Sequence, residues 1–535
     1  MAALSTNKCV AAAILASIFF FLAGQPFIPL LGIQNDEALF AGAIYEPFEA
    51  LYAWPLPHHQ QIPLMLMSYL GCLKTLIYIP IFKLFGNGPY AVREPALIFG
   101  AASVWLFFLL LRRIAGNRAG LVGCWLLAAD SLYLLTSCYD WGPVALQHLL
   151  ILAGALLLVR FFQTTSSLSL ALGFLLFGLA LWDKALALWI LSGFATAGFL
   201  TFPRQIFAVA SFRRLLISFA ALALGAAPLI SYNLHAHLAT IRENTTIDTG
   251  ALITKFHLLT ETARGGMLLG FLNAPDQTTP APHRPRGLLQ TASARLSSFA
   301  GDPSSDWLLV AFVFAVVLAP LAGGPALRIV TFFLIAIPVA WLQMALNSHT
   351  GGTVHHAILL WPWPEAVIAI SFVGVSRRLG RFGAPGLAIA TVLVVLSSLA
   401  VTNEYYAKIV RNGGSPTWSA AVFPLAESLK DSRAAYAFCT DWGILESVGL
   451  LTAWHPVMRN GILGEEESAA LTYMVSDPGH IILAHVPEAE QFPGVNERVV
   501  ERAAKLGYTK QRIRIVGDGF GRNLFEVYRF VRTTQ

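Results

Sequence analysis

The sequence predicts a mainly α-helical, polytopic membrane protein that ends in a small α/β domain. Three observations carry this. Of 535 residues, 56% are hydrophobic and only 12% charged, with a mean hydropathy of +0.62. Apolar runs recur from the N-terminal end to residue 402, at the length of about 20 residues that a helix needs to cross a bilayer. Beyond residue 402 they stop, and residues 403–535 have ordinary globular composition.

Apolar runs bounded by polar clusters place about eleven spans near 9–32, 90–111, 119–138, 144–162, 168–182, 185–201, 215–232, 307–323, 329–346, 357–375 and 384–402. With the N-terminus cytoplasmic, the inner connections carry Lys8, Arg112, Arg113, Arg118, Arg204, Arg213, Arg214, Arg328, Arg377, Arg378 and Arg381, and Arg160 lies at an inner helix end. The short outer connections carry almost no Lys or Arg apart from Lys184. This asymmetry sets the orientation and accounts for the net charge of +6 without a nucleic-acid partner. The first apolar run lacks a clear small-residue cleavage site, so an uncleaved first helix is expected. The five cysteines show no paired spacing, and neither a disulfide framework nor a zinc site is implied.

The run 67–85 is also apolar, but a span there would place the later arginines outside. It is expected to lie at the outer interface as an amphipathic helix. The first outer loop then covers 33–89 and holds Asp36, Glu37, His58, His59 and Lys74. A second long outer loop, 233–306, is polar and contains Pro and Gly, with room to act as a mobile lid. In 403–535, strands are expected at 435–439, 481–486, 511–516 and 524–531, and helices near 418–430, 443–453 and 497–507. Gly517-Asp518-Gly519-Phe520-Gly521 reads as a hairpin turn, not a phosphate loop. The domains expected are 1–402 in the membrane and 403–535 outside it.

Charge near hydrocarbon is costly, so ionisable groups kept at a membrane boundary are candidates for chemistry. Asp36 and Glu37 follow the first span, Asp140 ends the third on the same side, and Lys184 follows the fifth beside Asp183. His349, His355 and His356 lie in the short turn before the tenth. Each position also admits a structural reading. Asp36-Glu37 and Asp140-Trp141-Gly142-Pro143 are compatible with helix caps, Lys184 with a pair to Asp183, and the histidines with interfacial hydrogen bonding. No carboxylate lies at ligand spacing from the histidines, so a divalent metal, though compatible with the donor types, has no support in the pattern. Asn244-Thr245-Thr246 matches a glycosylation sequon that matters only in a eukaryotic secretory setting. Trp54, Tyr69 and Trp141 are belt aromatics that could also stack on a sugar.

Motif order and sidedness resemble the GT-C membrane glycosyltransferases, in particular the family 39-like group of protein O-mannosyltransferases and the lipid A aminoarabinose transferase. The residues that carry the likeness are Asn35-Asp36-Glu37-Ala38, Lys74 with Leu84-Phe85-Gly86, Ala91-Val92-Arg93, Asp140, Gly178-Leu179-Ala180 through Lys184, and His355-His356-Ala357-Ile358-Leu359-Leu360-Trp361-Pro362. Thr75 stands where the family often has Pro, and 403–535 shows no specific match. The resemblance implies a sugar donor on a polyprenyl phosphate, used at the outer face. Asp36 would be the general base toward an acceptor hydroxyl, with Glu37 orienting it. Lys74, Arg93, Lys184 and His355 or His356 would receive the lipid phosphate, Asp140 would bind sugar or acceptor, and a single displacement would invert the anomeric centre. The acceptor, whether protein, lipid or glycan, is left open. Alanine- and leucine-rich composition with a compact outer domain points to a bacterial plasma membrane. The competing class is a secondary transporter or lipid flippase, which usually shows internal repeats and mid-membrane charge. No repeat is evident, and the ionisable groups gather at one face.

Overall fold

The computed structural model describes residues 6–45, 50–430, 432–462, 464 and 467–533. Each of the eleven expected segments falls on an apolar helix or a pair of helices. Six among the described residues are long and apolar enough to cross a membrane: Thr6–Phe27, Pro89–Ala115, Ala145–Thr164, Gly324–Leu346, Val354–Ser376 and Gly380–Asn412. Two more reach that length if bent pairs count as one span, Asn117–Ala129 with Ser131–Cys138 and Pro203–Val209 with Phe212–Gly225. Shorter apolar helices, Ser167–Asp183, Ala187–Thr201 and Leu308–Ala322, take the remaining places. The 60° bend in the first pair has a local cause. Asp130 stands between the two helices and caps the second, accepting from Tyr133 N at 2.6 Å, while Trp361 Nε1 donates to its other oxygen at 3.1 Å. Helices Ser167–Asp183 and Phe212–Gly225 cross backbone to backbone: a Cβ on Gly178 would lie 2.9 Å from Gly225 Cα.

The first loop departs from expectation in one respect. Its apolar stretch begins as strand and becomes helix only at Leu73. A small antiparallel sheet, β1 (Tyr52–Pro55), β2 (Gln61–Met67) and β3 (Leu70–Gly71), precedes the helix Leu73–Phe85. A continuous apolar run has no period that separates strand from helix. The loop 233–306 is built rather than bare. It carries helices Ala239–Asn244, Leu252–Thr262 and Gly287–Ala300. Buried Lys255 ties it to the end of Gly324–Leu346, donating to Ala345 O at 3.2 Å and to Asn347 O. The stacked rings of His283 and Phe520, 4.0 Å apart, join it to the C-terminal region.

The last apolar helix runs to Asn412, ten residues past the expected end at 402. A five-stranded sheet follows: β4 (Tyr436–Cys439), β5 (Val457–Asn460), β6 (Ile481–His485), β7 (Tyr508–Gly517) and β8 (Asn523–Arg532), in the order β5-β4-β6-β8-β7. β4 is parallel to β5 and β6, while β8 is antiparallel to β6 and β7. Alternate strand residues face opposite sides. Ala437, Cys439 and Leu483 pack with helices Val422–Lys430 and Leu445–Thr452, while Phe438, Ile482 and Ala484 pack with Ser468–Ser476 and Val495–Lys505. β7 and β8 meet at the predicted hairpin, where Arg522 and Asp518 pair at 2.5 Å.

Candidate active site

Helix Asn35–Gly42 opens the site. Gln34 caps it, accepting from Asp36 N at 2.7 Å and Glu37 N at 3.3 Å, and Glu37 returns to Gln34 N at 3.3 Å. This reciprocal box fixes the first turn and sets two acids at the positive helix end. Adjacent residues on a helix diverge by about 100°. The two acids therefore have different surroundings.

Glu37 points inward and is fully buried. Arg93, also fully buried at the start of Pro89–Ala115, grips it with Nε to Oε1 at 2.7 Å and Nη2 to Oε2 at 2.9 Å. The other three guanidinium N–H groups reach Ile28 O at 2.6 Å, Leu31 O at 2.9 Å and Gly32 O at 2.7 Å. All five donors are thus used, and the cation also lies 4.6 Å from the Tyr139 ring centre. Arg93 has no donor left for a lipid phosphate, and Glu37 has no free oxygen with which to orient an acceptor. In this structure the pair holds the end of the first span to the loop.

Asp36 is only partly buried, and among the described residues its one side-chain hydrogen bond is a long one from Asn35 Nδ2, 3.4 Å. Burial raises its pKa above the ordinary carboxylate value, against the lowering effects of Asn35 and of the nearby Lys184 charge. Burial and the Asp36 charge push the Tyr69 hydroxyl up as well.

Lys184 follows Ser167–Asp183. Its Nζ donates to Gly142 O at 2.6 Å, Gln147 Nε2 donates to its carbonyl at 2.9 Å, and Ala185 N bonds Tyr69 O at 2.8 Å. It does not pair with Asp183, whose two buried oxygens have no hydrogen-bond partner among the described residues. Lys74, buried at the start of Leu73–Phe85, meets Asp140 Oδ2 at 2.9 Å and its carbonyl at 3.1 Å. The other Asp140 oxygen accepts from Val144 N at 2.7 Å and Ala145 N at 3.2 Å, so the helix-cap reading and the proximity to Lys74 both hold.

The segment 140–142 joins these lysines to the histidines. His355 Cγ would lie 2.6 Å from a Cβ on Gly142, and the His355 and Trp141 ring centres are 6.0 Å apart. His356 touches His355 at 4.4 Å, and both ring systems reach Thr353 Oγ1. Asp36, Lys74, Asp140, Lys184, His355 and His356 therefore gather on one face, and Glu37 with Arg93 forms a closed pair beside them. Asp183, Gln147 and His148 are buried neighbours without an assigned role from sequence. Polar residues inside apolar helices were the available signal for the last two. Of the aromatic candidates, Trp54 is exposed, Tyr69 half-buried and Trp141 buried.

A helical body with several apolar helices, a structured first loop and an attached α/β domain make up a fold shared with solved GT-C structures. Residues 73–232 match the family model described as dolichyl-phosphate-mannose-protein mannosyltransferase. Among solved structures, ArnT from Cupriavidus metallidurans bound to undecaprenyl phosphate aligns with a TM-score of 0.56 at 12% identity, covering 98% of each chain. The apo state of ArnT aligns with the same values. The apo oligosaccharyltransferase of Archaeoglobus fulgidus aligns with a TM-score of 0.50 at 11% identity, over 95% of this chain and 70% of that one. No curated protein sequence matches the chain.

Proposed function

We propose that the protein is a membrane glycosyltransferase that moves a sugar from a polyprenyl-phosphate donor to an acceptor hydroxyl at the outer face of a bacterial plasma membrane, with its N-terminus cytoplasmic and residues 413–533 outside. The observation that carries this is the contrast at Asp36. It is the acid of the first turn that no cation pairs among the described residues, and it lies within reach of the charge of buried Lys184, on the face where a lipid carrier would present its phosphate. The acceptor oxygen attacks the anomeric carbon and its proton passes to the Asp36 carboxylate. The bond from that carbon to the phosphate oxygen breaks, and the lipid phosphate leaves with the electron pair. Lys184 and Lys74 are placed to meet the charge that develops on the phosphate, Lys74 by exchanging part of its contact with Asp140. His355 and His356 border the same space and supply further ring nitrogens. Glu37 and Arg93 act at one remove, by fixing the turn that carries Asp36. Displacement by a single attack inverts the anomeric centre.

The test is donor consumption by the purified chain in lipid vesicles, across a panel of polyprenyl-phosphate sugars. Asp36→Asn is expected to lower the rate by about 10²–10⁴, the range that general base catalysis contributes. If wild type and variant consume every donor alike, Asp36 is not the base.

A further inference from the structure

The end of the helical body opposite the candidate active site holds a cavity that the transfer chemistry does not use. It has a volume of about 130 Å³ and lies between the ends of four helices: Pro89–Ala115 and Val354–Ser376, which stop there, and Asn117–Ala129 and Gly324–Leu346, which start there. Ile370 and Val373 form its buried floor, and Ile114, Ala326 and Ile329 its half-buried sides. The other lining residues are Ala, Pro and Gly, with Arg377 the one exception. An apolar cavity of this order favours an apolar guest over water, as one of about 150 Å³ takes up benzene. It has room for a few methylenes of a hydrocarbon chain, and not for a whole lipid or a polar ring.

Arg377 stands at the mouth. It is exposed and makes no hydrogen bond or ion pair among the described residues. Its Nη2 lies 4.0 Å from the place of a Cβ on Gly116, so the guanidinium reaches from the end of one spanning helix toward the turn after another. Arg377 keeps helical geometry past Ser376, and Ile370, Val373 and Arg377 therefore recur on one face. The step from Ile370 to Arg377 is about 10 Å along the axis. A membrane lipid presents its parts in the same order, phosphate at the level of the helix ends and acyl carbons below it.

The charge around the mouth has one sign. The connections 112–118, 319–328 and 376–383 carry Arg112, Arg113, Arg118, Arg328, Arg377, Arg378 and Arg381, and no Asp or Glu. An acidic peptide or a soluble anion would meet the arginines and leave the apolar floor empty. A neutral lipid would fill the floor and leave Arg377 unmatched. Basic pockets between spanning helices hold anionic headgroups because both needs are met at once.

We propose that this cavity binds one anionic phospholipid from the leaflet opposite the candidate active site, with the phosphate at Arg377 and a short stretch of one acyl chain against Ile329, Ile370 and Val373. The inference does not rest on the function proposed above. Native mass spectrometry of the full chain in detergent, titrated with dioleoyl phosphatidylglycerol or dioleoyl phosphatidylcholine, tests it. The first phosphatidylglycerol is expected to bind about fivefold more tightly than the first phosphatidylcholine, the effect of one arginine near a membrane surface. Arg377→Gln, at an exposed side chain without partners, is expected to fold normally, to lose that preference and to bind phosphatidylcholine as wild type does. Ala326→Phe, which fills the cavity, is expected to abolish the first binding step of both lipids. Arg381→Gln removes a cation that lies over the Phe382 ring at 4.8 Å and does not line the cavity, and is expected to bind like wild type. Equal affinity of the wild type for the two lipids or full binding by Ala326→Phe would overturn the proposal. So would a loss in Arg381→Gln as large as that in Arg377→Gln, which would mark a diffuse basic face without a site.

Discussion

Two acidic neighbours in one helical turn have opposite surroundings. Glu37 lies in a saturated knot, where both carboxylate oxygens and all five guanidinium donors of Arg93 are matched. Asp36 has, among the described residues, one long side-chain hydrogen bond and the charge of buried Lys184 nearby, and Asp183, next to that lysine in the chain, has no hydrogen-bond partner among them. A saturated ion pair holds backbone in place and has nothing left to offer a ligand. An unsaturated one keeps valences open at a cost in stability, which is the usual arrangement where substrate must complete the contacts.

The largest effect that would break this contrast is on Arg93. Arg93→Met leaves Glu37 buried without a cation and three loop carbonyls without donors, and is expected to destabilise the protein by about 3–5 kcal/mol. The double variant Glu37→Gln, Arg93→Met should recover part of that loss, since it removes the stranded charge but not the orphaned carbonyls. Thermal unfolding in detergent reads both. Should Arg93→Met melt like wild type and lose only donor binding, Arg93 would be a phosphate ligand after all, as the resemblance first implied.

The difference between the two acids was not legible in the sequence, and the reason is physical. Periodic and local features were readable: the apolar segments, the strands at 436–439 and 481–485, the hairpin at 517–521, and the position of Asp36 after the first span. Partner choice across long separations was not. Glu37 and Arg93 are 56 residues apart, and Asp441 and His485 are 44 apart. Nothing local distinguishes a paired carboxylate from a free one. β5 escaped notice because half of its four residues are exposed and it shows no clean alternation. The strand before Leu73 was hidden in an apolar run, where burial on several sides erases the period that would reveal it.

Asp36 sharpens the contrast through pH. Its folded-state pKa is raised, so the carboxylate needed by a base is lost at a higher pH than for an exposed aspartate. The acid limb of kcat/KM is expected to rise with pH at a value above the ordinary carboxylate range. Because Lys184 opposes the shift, Lys184→Met should move that limb to still higher pH. The stability sign is the reverse of the usual surface acid. A raised carboxylate pKa contributes stability that is present below the unfolded value and is lost as pH rises through the folded one. Asp36→Asn should therefore not lower the melting temperature at neutral pH, while it lowers activity. A variant that loses both together would place Asp36 with Glu37 among the scaffold residues.

The smallest effect concerns the contact that holds the open cluster together. Gly142 has an ordinary backbone conformation, so alanine there is limited by space alone, and its Cβ would lie 2.4 Å from His355 Cβ and 2.6 Å from Cγ. His355 is half-buried and packed against Trp141, so it can yield only by leaving the space shared with Lys184 through the Gly142 carbonyl. Gly142→Ala is expected to cost about 1–3 kcal/mol as overpacking, with a fall in kcat/KM smaller than that of Asp36→Asn. Adding His355→Gly removes both the ring and the His355 Cβ, which is the atom nearest the new methyl. The two changes should then be less damaging together than their sum, because they share one volume. Strict additivity in melting temperature and in donor turnover would mean that segment 140–142 and the histidine turn act independently, and the open cluster would reduce to Asp36 with its lysines.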